Sequence, residues 1–142
     1  MFKSILVPID LGQESSWVKA IPIAAELARS NNAELHIISV VPNFGMSIVG
    51  GFFPEGHEQK MIEQAKVELS QVVSGQSLEG VNVQMHVAHG SIYQEVLSAA
   101  KGLNSDLIVI TAHRPELSDY LIGPNAARIV RHANQSVFVV RD

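Results

Sequence analysis

"DLIVITAHRPELSDYLIGPNAARIVRHANQSVFVV", residues 106–140, decides the fold. Asp106–Thr111 is a short, strongly apolar and β-branched run, the pattern of a buried strand. The loop His113–Ile122 follows, and then Ala126, Ala127, Ile129 and Val130 recur at helical spacing. Ser136–Val140 is again strand-like. A strand, a helical crossover and a second strand form a unit that joins parallel neighbours with right-handed geometry.

The same alternation extends toward the N-terminus. "FKSILVPI" (2–9) is a strand ending at Pro8-Ile9-Asp10. "SSWVKAIPIAAELARS" (15–30) places Trp17, Ile21, Ala24, Ala25 and Ala28 on one helical face, with Pro22 predicting a kink or an irregular first turn. "AELHIISVV" (33–41) is a second buried strand. "EGHEQKMIEQAKVELSQVV" (55–73) is an amphipathic helix with Met61, Ala65, Leu69 and Val72 inward. "VNVQMHV" (81–87) alternates strictly, as a half-exposed edge strand does. "SIYQEVLSAAKGL" (91–103) reads as a helix with Ser91 as N-cap. Five strands alternating with four helices predict a single α/β domain over residues 1–142, with an open, mainly parallel sheet covered on both faces. Ligands of such sheets bind beyond the carboxyl ends of the strands, where strand order reverses. Here those ends carry Pro8-Ile9-Asp10, Val40-Val41-Pro42 and Thr111-Ala112-His113.

Composition narrows the function classes. With 46% hydrophobic residues and 17% charged, the 142-residue chain has the make-up of one globular domain with its own core. A net charge of −4 and ten scattered Lys and Arg argue against a general nucleic-acid binder. No apolar run approaches the ~20 residues that span a bilayer, so no membrane partner is expected. The chain has no cysteine, which excludes disulfides and thiolate chemistry. With "SILVPID" following Met1-Phe2-Lys3 in place of a signal-peptide pattern, the expected location is the cytoplasm.

No GxGxxG, GxxxxGK[ST] or GxSxG occurs, so a dinucleotide fingerprint, a P-loop and a hydrolase elbow are all missing. Asp10 either caps a turn or presents its carboxylate to a ribose hydroxyl or an adenine amine. The six histidines lack metal-ligand spacing. His86 and His89 point to opposite faces of a strand, His36 lies within a strand, and His57 and His132 lie on helices. No metal site is expected. His113 either contacts a ligand or fixes its loop. Arg114 either completes an anion site or is solvated. A helix N-terminus favours anions, and proline is favoured at its first position. Pro124 nevertheless lacks the N–H and hydroxyl that an anion would use, leaving those N–H groups to Asn125 and Ala126. Gly123-Pro124 is therefore a helix start that keeps part of a phosphate cradle. Met46, Ile48, Val49, Phe52 and Phe53 form an apolar patch in the 43–54 loop that covers a ligand or a partner.

"ILVPID" (5–10), "HIISVVP" (36–42) and above all "DLIVITAHRPELSDYLIGPNAARIVRHANQSVFVVR" (106–141) resemble the universal stress protein family, in particular its F- and G-type bacterial branch. The resemblance covers essentially the whole chain. It implies a Rossmann-like three-layer sandwich with strand order 3-2-1-4-5. It also implies adenosine contacts from Pro8, Ile9, Asp10 and Val40, and phosphate contacts from Ala112, His113, Arg114, Gly123, Pro124, Asn125 and Ala126. Many members bind ATP through a Gly-x2-Gly-x9-Gly-Ser/Thr pattern, and here the chain departs from it. Thr111 and Arg114 stand in the first two glycine positions, eight residues (115–122) separate Arg114 from Gly123, and Pro124 replaces the hydroxyl residue.

The expected function is a regulatory module that binds an adenine nucleotide (ATP, ADP or AMP), with Mg2+ as an optional companion, and whose occupancy biases dimer shape or the choice of a protein partner. No general base faces a γ-phosphate, so no catalytic residue is assigned, and any hydrolysis or autophosphorylation is expected to be weak. The apolar residues Val137, Phe138, Val139 and Val140 predict a homodimer joined through the last strand. The alternative is a dimeric interaction protein that needs no nucleotide.

Overall fold

A computed structural model describes residues 1–42, 56–112 and 122–141, with side chains from Asn125 onward in the last stretch. In chain order the elements are β1 (Ser4–Ile9), a 3₁₀ turn (Glu14–Ser16), α1 (Ala20–Asn31), β2 (Glu34–Pro42), α2 (His57–Ser74), β3 (Asn82–Gly90), α3 (Ile92–Gly102), β4 (Leu107–Ala112), α4 (Ile122–His132) and β5 (Ser136–Arg141). The strands form one sheet in the order β3-β2-β1-β4-β5. Every pairing is parallel, so the α/β class and the strand order are those expected.

Strand periodicity divides the core into two layers. Ile5, Val7, Leu35, Ile37 and Val109 face α1 and α2, meeting Ile21, Ala24, Ala28 and Leu69. Leu6, Ile38, Ile108 and Ile110 face the other way, onto Val96 and Ala100 of α3 and Ala126 and Ile129 of α4. The central strands are buried on both sides, which is why they read as continuous apolar runs. On edge strand β3, Val83 and Val87 pack toward α1 and α2, as does Val81 just before it, whereas Met85 stays 47% exposed.

One local boundary is corrected, and one cap is met in position but not in its hydrogen bond. Apolar spacing predicted a helix from residue 15, but Ser16 is drawn into the turn after β1, and α1 begins only at Ala20. Pro22 then falls in the first turn of α1, where its missing N–H costs no helical hydrogen bond. Ser91 occupies the N-cap of α3 in extended conformation, yet its hydroxyl makes no cap bond. The Asn125 Oδ1 of α4 instead accepts the Tyr93 N–H at 3.2 Å, stitching the two helices together.

Asn32 caps the end of α1, and Asn104 lies two residues past Gly102 at the end of α3, each in the left-handed region at φ 53°. There the following N–H turns back to the helix, Ala33 to Ala28 and Ser105 to Ala100, both at 2.9 Å.

Candidate functional site

The site is built where strand order reverses. β1 runs between β2 and β4, and Asp10 leaves its carboxyl end. Asp10 Oδ1 accepts the Gly12 N–H at 2.9 Å, an Asx turn that the Asp-Leu-Gly spacing favours. The Asp10 carbonyl accepts the Gln13 N–H at 2.9 Å. The Asp10 N–H donates to Ser16 Oγ at 2.9 Å, and that hydroxyl lies 2.7 Å from the Gln13 carbonyl to which it donates. From across the reversal point, Thr111 Oγ1 donates to the Ser16 carbonyl at 3.1 Å. Ser16 and Thr111 are each 2% exposed, so the bond between them forms out of water and holds the turn firmly. Among the described residues, Asp10 Oδ2 has no protein partner.

A cleft of about 210 Å³ opens beside this carboxylate, between the ends of β1 and β2 and helix α2. Leu11, Val40, Val41, Met61 and Ala65 supply apolar wall, while Asp10, Gln64 and Glu68 supply polar groups. Gln64 Nε2 donates to Glu68 Oε1 at 3.1 Å on the α2 rim. The β1–β2 pairing ends at Ile9 with Ser39, whereas β2 continues beside β3 to Pro42. The edge of residues 40–42 that faces away from β3 therefore has no strand neighbour among the described residues, leaving backbone donors and acceptors beside the cleft. No group of three or more His, Asp or Glu side chains among the described residues is placed to hold a metal ion.

The model of the universal stress protein family matches residues 1–141. The chain belongs to the universal stress protein family. Universal stress protein G of Shigella flexneri is 31% identical over 143 residues, covering 99% of this chain and all of that relative. A family member from Burkholderia pseudomallei of known structure superimposes with a TM-score of 0.71 at 23% identity, covering 97% of this chain and 95% of that one. A universal stress protein from Archaeoglobus fulgidus, solved in complex with dAMP, gives 0.64 at 18% identity, with 96% of each chain covered. Another, solved in complex with cAMP, gives 0.61 at 20% identity, covering 99% of this chain and 97% of that one.

Within the family frame, the structure brings together two of the four residues expected at the adenosine, Asp10 and Val40. Pro8 and Ile9 are buried within β1. On the phosphate side, Ala112 closes β4 opposite Arg141, and Ala126 is 3% exposed in the core between α4 and the sheet. His113, Arg114 and the 43–54 loop lie outside the described residues. The helix carrying Gly123 and Pro124 begins at Ile122, earlier than the sequence suggests. In such a helix the N–H groups without intrahelical partners are those of the first turn. That start puts Asn125 and Ala126 beyond the first N–H groups of the helix, and the Asn125 side chain is engaged with Tyr93.

Sequence reasoning missed Ser16 and the role of Thr111 as a clamp. Asp10 with a glycine two residues on was the available signal for the turn; the Thr111–Ser16 bond spans 95 residues and left none. Among the described residues strand β5 pairs only with β4, as an edge strand. Of its apolar residues Val140 is buried, Val137 and Val139 are half-buried, and Phe138 is 43% exposed. No helix among the described residues is long and apolar enough to cross a membrane.

Proposed function

We propose that this universal stress protein is a cytoplasmic regulatory module that binds an adenine nucleotide in the cleft between β1, β2 and α2. One observation carries the reading: a turn-locked carboxylate with a spare oxygen, Asp10, stands beside an apolar cleft and the unpaired backbone edge of Val40–Pro42. Asp10 Oδ2 accepts from ribose hydroxyls, and the β2 backbone meets the base. A cleft of about 210 Å³ is smaller than the ~300–1,000 Å³ of most ligand sites, so it accounts for nucleoside and leaves the phosphates toward the start of α4. Relatives of the same fold in complex with dAMP and cAMP support the ligand class. Two such protomers pair through β5, whose exposed Phe138 and unpaired edge favour strand addition.

Equilibrium titration of nucleotide-stripped protein with ATP, ADP and AMP tests the proposal. Saturable binding of one equivalent per chain is expected, with AMP close to ATP in affinity. Absence of saturable binding for all three would leave the chain a nucleotide-independent interaction protein.

A further inference from the structure

Strand β2 places His36 and strand β3 places His86 on the sheet face that looks toward α3, and their imidazoles meet. His36 Nδ1 lies 2.9 Å from His86 Nε2, with the ring centroids 5.1 Å apart. His36 Nε2 lies 3.3 Å from Glu34 Oε2. His36 is 2% exposed, while His86 is half-buried on the edge strand.

An N···N hydrogen bond needs one donor and one acceptor. A neutral pair satisfies it. A pair carrying one extra proton also satisfies it, since a His36 imidazolium donates to Glu34 from Nε2 and to His86 from Nδ1. A second extra proton turns the contact into two N–H groups facing each other, with two positive charges at hydrogen-bond distance. We propose that Glu34, His36 and His86 form a proton-counting clasp that fixes edge strand β3 to β2 at neutral pH and loosens that edge when the second proton arrives.

The surroundings give that second charge little relief. On the same face α3 and its C-cap present apolar Val96, Ala100 and Leu103. Of its ionisable groups, Glu95 abuts Gly90 at the far end of β3, and Lys101 lines the cleft toward α4. On the β1 side, the Lys3 carbonyl accepts the Glu34 N–H at 3.0 Å, and the Asp106 carboxylate is taken by the N–H groups of Lys3 and Ser4. Beneath the opposite face, Glu58 of α2 pairs with His89 at 3.0 Å. Glu34 is thus the one carboxylate in contact with the pair among the described residues, and it touches His36 rather than His86.

Burial first, and then the neighbouring His36, hold His86 below the ordinary histidine value of 6.5. A histidine depressed in the folded state takes up its proton more readily when unfolded, so its contribution falls as pH drops below that value. Among the described residues strand β3 has β2 as its only strand neighbour, so it is the element that such a loss releases. This inference stands independently of nucleotide binding.

Amide hydrogen exchange across β3 at about pH 7.5 and pH 5.5, the range in which histidines titrate, tests it after correction for intrinsic exchange. Protection of residues 83–87 relative to β4 should fall at the lower pH, as the proton that His86 resists in the folded state is taken up. His86→Gln, which hydrogen-bonds but takes up no proton, should abolish that difference, while His89→Gln should leave it intact. Nitrogen-15 titration of the wild-type imidazoles supplies a readout that needs no variant, with His86 expected to gain its proton below 6.5. Equal relative protection at both pH values, unchanged acid sensitivity in His86→Gln, or a His86 that titrates at or above the ordinary value would overturn the proposal.

Discussion

Thr111 Oγ1 donates to the carbonyl of Ser16 at 3.1 Å, and this one bond joins the end of β4 to the turn that holds Asp10. It spans the point where strand order reverses, the position at which open α/β sheets receive ligands. Thr111 also stands where many family members have the first glycine of their phosphate pattern, so a structural clamp occupies a site given elsewhere to backbone freedom.

Thr111→Val keeps the shape of the side chain but strands the Ser16 carbonyl. Unfolding by urea should show a loss of about 1–3 kcal/mol, the cost of an unsatisfied buried polar group, and Thr111→Ser should recover most of it. Nucleotide affinity should fall in the valine variant as the Asp10 turn loosens. A valine variant as stable as wild type would show that the bond holds nothing.

Asp10 has two separable duties. Its Oδ1 holds the Gly12 N–H, and Asp10→Asn can keep that acceptor while removing the charge. The asparagine variant should remain within about 0.5 kcal/mol of wild-type stability yet bind nucleotide more weakly by roughly 1.5–3 kcal/mol, the range for charge-assisted hydrogen bonds. Asp10→Ala should lose on both counts. Unchanged affinity in both variants would reduce Asp10 to a turn residue.

Much of the fold was legible because each strand is either apolar throughout or strictly alternating, and each helix carries a single inner stripe. One boundary was misread where a tertiary hydrogen bond overrides local signals. Ser16 serves the Asp10 turn instead of α1, whereas Ser91 holds the N-cap of α3 as expected, with Asn125 of a different helix supplying the side-chain acceptor. Asp10 and Val40 could be found as strand ends of a parallel sheet. The Thr111–Ser16 clamp and the His36–His86 contact could not, since they join positions 95 and 50 residues apart through sheet geometry alone.

Pro124 lies in the first turn of α4, where it supplies neither an N–H nor a hydroxyl to a phosphate. Pro124→Ser restores both and should favour ATP by on the order of 1–3 kcal/mol, with a smaller gain for AMP. Parallel unfolding measurements separate this effect from lost preorganisation of the helix start. Strong ATP selectivity in the wild type, or an unchanged ATP-to-AMP ratio in the variant, would place the phosphates elsewhere.

The edge of β5 predicts assembly. Sedimentation at micromolar concentration should give a homodimer, and Phe138→Lys, which puts a charge on an edge residue that is 43% exposed, should shift it toward monomer. A wild-type monomer under these conditions would remove β5 as an interface.

The central claim is that adenosine sits between Asp10 and the free edge of β2. Amide chemical-shift mapping during an AMP titration tests it most directly. The account predicts saturable shifts concentrated at Asp10–Gly12, Val40–Val41 and the Met61–Ala65 turn of α2, all lost together in Asp10→Ala. Shifts confined to the cleft between α3 and α4, or no saturable shift at any concentration, would contradict it.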